Sequence, residues 1–223
     1  LQAASYNGHE QVVKLLLEKN ADVNAQGGYY GNALQAASLN GHEQVVKLLF
    51  EKNADVNAQG RPYGNALQAA SSRGHEQVVK LLLENNADIN AQGGQYDNAL
   101  QAASYNGHEQ VVKLLLEKNA DVNAQGGYYG NALQAASYQG HEQVVKLLLE
   151  KNADVNAQGG YFGNALQAAS DMGHKQVVKL LLKKNANVNV QGGRYGNALQ
   201  AASDMGHKQV VKLLLDKGAI RPT

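Results

Sequence analysis

Cysteine is missing from all 223 residues, so no disulfide braces the fold and no thiol serves as nucleophile or metal ligand. A cysteine-free chain fits an intracellular, cytoplasmic setting. Long apolar runs are missing too. The longest resemble Leu15–Leu17, far short of the ~20 residues a membrane-crossing helix needs, so no membrane partner is expected. There is no excess of either charge: 20 Lys and Arg against 19 Asp and Glu leave +1, which gives no global pull toward nucleic acid. Neither the G-x-x-x-x-G-K-[ST] phosphate loop nor the H-E-x-x-H zinc motif occurs, because Val replaces the second His in "HEQVV". The chain opens at Leu1 with no Met and no signal-like stretch, and reads as a piece of a longer protein.

What is present is repetition. "LQAAS" begins at Leu1, Leu34, Leu67, Leu100, Leu133, Leu166 and Leu199, always 33 residues apart. "AQGGYYGNALQAAS" at Ala25–Ser38 returns letter for letter at Ala124–Ser137. A period of this size signals units that cannot bury their apolar face alone and stack on their neighbours. The boundaries are a partial repeat over 1–27, full repeats over 28–60, 61–93, 94–126, 127–159 and 160–192, and a terminal repeat over 193–223.

Residues 28–60 show the grammar of one unit. Asn32 precedes "ALQAAS" and Gln35 stands three residues on, a capping-box pattern that predicts a short helix from Ala33 to about Asn40. Ala36 and Ala37 keep that helix slim. Gly41-His42 turns the chain, and "EQVVKLLFEK" then places Val45, Val46, Leu48 and Leu49 on one apolar face of a second helix. Asn53 falls where that helix must end, a position suited to left-handed backbone, and Gly218 takes the equivalent place in the last repeat. The Gly-rich stretch that follows predicts a hairpin-like loop.

Helix, turn, helix and loop at this period resemble the ankyrin repeat, and "GHEQVVKLLLEKNADVNA" at Gly8–Ala25 is similar to that family's second helix and following turn. The family's T-P-L-H is replaced by Asn32-Ala33-Leu34-Gln35, and Tyr30 stands where the family usually has the hairpin Gly. The near-identical copies look most like the ankyrin arrays of fungal multidomain proteins, often carried behind a NACHT-type NTPase. The resemblance implies an all-α solenoid, and a protein-recognition role through a concave surface built from hairpins and first-helix ends.

Variation among the copies gathers in those two regions. The hairpin tips carry Tyr29, Arg61, Pro62, Gln95, Tyr128, Tyr161 and Arg194, with Asp97 in place of a Gly. The first-helix ends carry Tyr6 and Asn7, Leu39 and Asn40, Ser72 and Arg73, Tyr105 and Asn106, Tyr138 and Gln139, Asp171 and Met172, Asp204 and Met205. Exchanges as drastic as Tyr for Ser or Asp suit exposed positions, whereas Lys14, Lys47, Lys113 and Lys146, also exposed by pattern, never change. Tyr, Arg and Met are favoured in recognition surfaces. These residues are therefore the candidate partner-binding set, the partner being another protein or another domain of the parent chain.

Two recurrent columns carry structure instead. Tyr30, Tyr63, Tyr96, Tyr129, Phe162 and Tyr195 keep a ring in every hairpin while dispensing with the hydroxyl once, as a packing ladder would. His9, His42, His75, His108, His141, His174 and His207 recur at repeat spacing, ~10 Å between stacked helices, too far apart to share a metal ion. They read as turn residues bonded to backbone. No cofactor and no catalytic residue is expected. Charge supplies the competing reading: the first five repeats total −5 and the last two +6, with Lys175, Lys179 and Lys183 in a row on one helix face. Such a row could receive phosphate or nucleic acid, though a solvated face is the simpler account. A structural array with no specific partner is the remaining alternative.

Overall fold

The computed structural model describes residues 1–220 and is all-α, with fourteen helices among them. They come in pairs, one per repeat: α1 (Gln2–Tyr6) and α2 (Glu10–Glu18), α3 (Ala33–Leu39) and α4 (Glu43–Phe50), α5 (Ala66–Arg73) and α6 (Glu76–Glu84), α7 (Ala99–Tyr105) and α8 (Glu109–Glu117), α9 (Ala132–Gln139) and α10 (Glu142–Glu150), α11 (Ala165–Asp171) and α12 (Lys175–Lys183), α13 (Ala198–Asp204) and α14 (Lys208–Asp216). The chain divides into two compact units, Leu1–Ala103 with Gln110–Ala120, and Ser104–Glu109 with the residues from Asp121 onward. In the first unit α1, α3 and α5 pack side by side, as do α2, α4 and α6. In the second, α9, α11 and α13 form one row and α10, α12 and α14 another.

The caps match their sequence signals. Asn32 has extended backbone and its side chain accepts the Gln35 N–H at 2.8 Å. The Gln side chain does more than close a local box. At Gln35 the amide donates to both arms of the hairpin that follows, to Ala58 O of its own repeat at 2.9 Å and Gly64 O of the next at 3.1 Å; Gln68 does the same toward Ala91 and Asp97. Only Gln68 also closes the local box in full, accepting from Asn65 N–H at 2.9 Å. Asn20, Asn53, Asn86, Asn119, Asn152 and Asn185 all adopt φ between 59° and 66°, the left-handed helix end expected of them.

The core is Val45, Val46 and Leu49 and their counterparts in the inner repeats, all but fully excluded from water, whereas Val12 in the first repeat is 48% exposed. Each such side chain contributes about 1.5–3 kcal/mol of burial free energy, which helices of seven to nine residues need to persist. Leu48, expected on the buried face, is half-buried, and its counterpart Leu15 is 55% exposed. The covered stripe on so short a helix spans Val45, Val46 and Leu49, and Leu48 falls at its edge. The histidines serve as turn residues. Nε2 of His42 lies 2.9 Å from Tyr6 O, and His75, His141, His174 and His207 repeat the bond one repeat on. Because a carbonyl only accepts, Nε2 carries the proton. Each ring lies against a glycine of the preceding repeat: a Cβ on Gly8 would stand 2.5 Å from the His42 ring. Burial pushes the His174 pKa down, against the opposing pull of its bond to Tyr138 O.

Each hairpin from Gly60 onward closes on one antiparallel bridge, such as Gly126 to Gly130 or Gly159 to Gly163. The closing residue is left-handed, with φ of 91° at Gly64 and 89° at Gly163. Asp97 takes this place at φ 73°, with Oδ2 buried and unbonded, and burial raises its pKa. A pKa raised on folding means the native state holds its proton more tightly. Asp97 therefore costs nothing below the unfolded value and progressively more as pH rises through the folded one. Replacing Asp97→Gly removes both the side-chain strain and the buried carboxylate. The expected gain at pH 7 is about 1 kcal/mol, shrinking by pH 3, measured as paired urea midpoints.

Candidate binding surface

In the second unit the hairpin tips are bonded to one another through the backbone. The Tyr161 N–H donates to Tyr128 O at 2.8 Å and the Arg194 N–H to Tyr161 O at 3.1 Å. The first unit repeats the link, Gln95 N–H to Pro62 O at 3.0 Å. Such a bond draws adjacent tips to strand-like separation, ~4.8 Å, whereas helices carrying side chains pack 8–10 Å apart. The rings follow the tips. Tyr128 and Tyr161 stack at 4.9 Å with planes 19° apart, and the Arg194 guanidinium lies 5.5 Å from the Tyr161 ring and 5.1 Å from that of Tyr195.

Behind this outer row stands an inner one. Tyr128 meets Tyr129 edge-on at 5.1 Å, and Tyr161 meets Phe162 likewise. Tyr129 and Phe162 are 6.4 Å apart and nearly parallel. The helix ends make the floor: Tyr105 lies 4.7 Å from Tyr129, and Tyr138 lies 4.6 Å from Phe162. The ring column thus packs between hairpins as expected, but also caps the first-helix end of the preceding repeat. In the first unit Tyr29, 70% exposed, stands edge-on to Tyr30, which stacks on Tyr6 at 4.1 Å.

That capping corrects the expectation of uniformly exposed columns. Leu39, Ser72 and Asp171 were all read as surface residues and all are buried, Asp171 to 6% exposure. Tyr6, Tyr105 and Tyr138 are half-buried beneath rings. At Tyr6, Tyr105, Tyr138 and Asp171 the first residue of the helix-end pair meets the ring of the next hairpin, which covers it. Asp171 lies beside Tyr195, whose pKa is raised first by burial and then by that carboxylate. The second of each pair faces outward at Asn7, Arg73, Met172 and Met205, with Asn106 and Gln139 half-buried. Asn40, half-buried, is engaged by its bond to Tyr6 O at 2.8 Å. Among the tips Arg61, Gln95, Tyr128, Tyr161 and Arg194 are exposed, Pro62 and Asp97 half-buried; Asp204 is exposed and bonded to Gln200.

Tyr129, Phe162 and Tyr195 are surface-building residues that sequence reading assigned to packing alone. Their position directly after each tip residue was the available signal, since a five-residue hairpin sends both rings to one side. Burial pushes the pKa values of Tyr128, Tyr129 and Tyr138 up, so these hydroxyls stay protonated and the rings add no charge beside Arg194. Among the described residues no three His, Asp or Glu side chains converge in a way that would hold a metal ion, and no helix is long and apolar enough to cross a membrane.

A stack of capped helix pairs with bonded hairpin tips defines a repeat class. The model of ankyrin repeats matches the chain three times, over residues 1–93, 67–159 and 158–222, and the chain belongs to the ankyrin repeat family. No curated protein matches it. Ankyrin repeats are generally protein–protein interaction modules, and their all-helical frame is typically a non-enzymatic scaffold.

The two rows should separate cleanly on truncation. Phe162→Ala empties a site that is 4% exposed and should cost about 3 kcal/mol. Tyr128→Ala removes a ring that is 52% exposed and should cost under about 1 kcal/mol. Urea titration followed by circular dichroism checks both, and equal costs would contradict the assignment of wall and tip.

Proposed function

We propose that this chain recognises a partner protein, or another domain of a longer parent chain, on the hairpin tips and outward-facing first-helix ends. The reading centres on the second unit. One observation carries it: Tyr128 and Tyr161 are 52% and 37% exposed, yet their backbones are hydrogen-bonded and their rings stacked. Exposed large rings held in one geometry bury area on binding with little entropy to lose. Tips drawn closer together than the helices behind them also suit the inner, concave side of a stack, the side a partner would enter. The near-identity of the copies supports placing the array in a multidomain chain of the fungal NACHT type.

The competing reading has its own observation. Lys175, Lys179 and Lys212 line a groove of about 400 Å³ on α12 and α14, suited to phosphate. Asp216 shares the groove and Lys175 already donates to Gln209 at 3.1 Å, so its positive charge is partly spent.

Peptides selected from a display library on the intact chain should lose most of their affinity, tenfold or more, on Tyr128→Ala with Tyr161→Ala. The melting midpoint should move little. Lys179→Glu with Lys183→Glu should leave binding intact, and log affinity should fall only shallowly with log salt. Loss on the lysine pair alone, with a steep salt slope, would put the basic groove in place of the tips.

A further inference from the structure

Tip residues in the second unit run Tyr128, Tyr161, Arg194, and the last of them is the only charge in the row. Its guanidinium is held between two rings, 5.5 Å from Tyr161 and 5.1 Å from Tyr195, and its amide is bonded to Tyr161 O. Arg194 is exposed, and no ion pair engages it among the described residues. The nearby acid Asp171 is buried against Tyr195, and the exposed Asp204 is taken up by Gln200. Two cation–ring contacts position the guanidinium, and no carboxylate takes up its N–H groups. A planar fork fixed in this way has already lost the side-chain entropy that a bidentate bond to a carboxylate normally costs.

The row also has a length. Steps of 4.9 Å from Tyr128 to Tyr161 and 5.5 Å from Tyr161 to the guanidinium set an upper limit of about 10 Å between the first ring and the cation. A polyproline II helix presents every third residue on one face, roughly 9.3 Å apart. That step fits within the row, whereas the roughly 13.4 Å between every fourth residue of a β-strand overshoots it. Aromatic shelves are the surfaces on which proline-rich segments dock, since such segments are extended before binding.

Resting on the proposed recognition role, we propose that this row binds a polyproline II segment with a proline on Tyr128 and Tyr161, and a carboxylate three residues further along paired with Arg194. The carboxylate sets the register and the rings supply the contact area.

The probe is a labelled hexaproline peptide followed by one glutamate, titrated into the intact chain and read by NMR shifts of the Tyr161 and Arg194 amides and by fluorescence anisotropy. The glutamate peptide should bind about tenfold more tightly than its glutamine counterpart. Arg194→Gln should erase that preference, leaving the two peptides equal. Tyr161→Ala should weaken both. An alanine-rich peptide ending in glutamate should bind no better than the glutamine peptide. Equal binding of the glutamate and glutamine peptides to the unmodified chain, or no binding of either, overturns the proposal. If either occurs while library-selected peptides still depend on Tyr128 and Tyr161, the tips remain the recognition surface and only this choice of partner falls. If the selected peptides are also indifferent to those rings, both readings fall.

Discussion

One buried side chain per repeat, the glutamine of "LQAAS", holds neighbouring units in register. Gln35 receives its place from Asn32, which caps the helix, and spends its own amide on Ala58 O at the end of its repeat and Gly64 O of the next. Those two carbonyls stand at the base of the next hairpin. Gln134 and Gln167 reach the same sites at Ala157 and Gly163, and at Val190 and Gly196. A buried carbonyl left unbonded costs roughly 1–3 kcal/mol, so each hairpin has one favoured position over its predecessor. The glycines follow from this: Gly31 and Gly64 lie so close to the glutamine oxygen that a Cβ would collide with it.

Where the hairpin bases are fixed, the tips are fixed as well. The backbone bonds from Tyr161 to Tyr128 and from Arg194 to Tyr161 need bases in register, and the stacked rings need the tips. The proposed recognition surface thus sits at the end of a chain of buried constraints, and the tip residues that differ among copies project from a frame that does not. A histidine on each glycine turn and an asparagine bridging successive loops, as Asn123 does to Asn152 O and Asp154 N–H, fix the opposite end of each unit.

Much of this was legible in the letters. The period, the Asn32 cap, the left-handed Asn53, the buried Val45 and Leu49 and the backbone-bonded histidines all follow from local chemistry that one repeat spells out in full. What was not legible depends on the neighbour. A capping box specifies one end of the Gln35 amide, and only the stack shows where the other goes. Asp171 looked like a surface substitution because nothing in its own helix covers it; the Tyr195 ring that does comes from the next repeat. Stacked helices stand about 10 Å apart. The tip-to-tip hydrogen bonds hold the Tyr128 and Tyr161 rings at 4.9 Å, a closeness that no single repeat spells out.

The central claim is that the aromatic tips are built before any partner arrives, and hydrogen exchange of the free protein tests it most directly. The amides of Tyr161 and Arg194 are engaged in tip-to-tip bonds and should exchange only when their unit opens, at rates close to those of the α11 core amides. Exchange at the speed of an unstructured loop would mean that the tips are ordered only by binding, and would contradict the account.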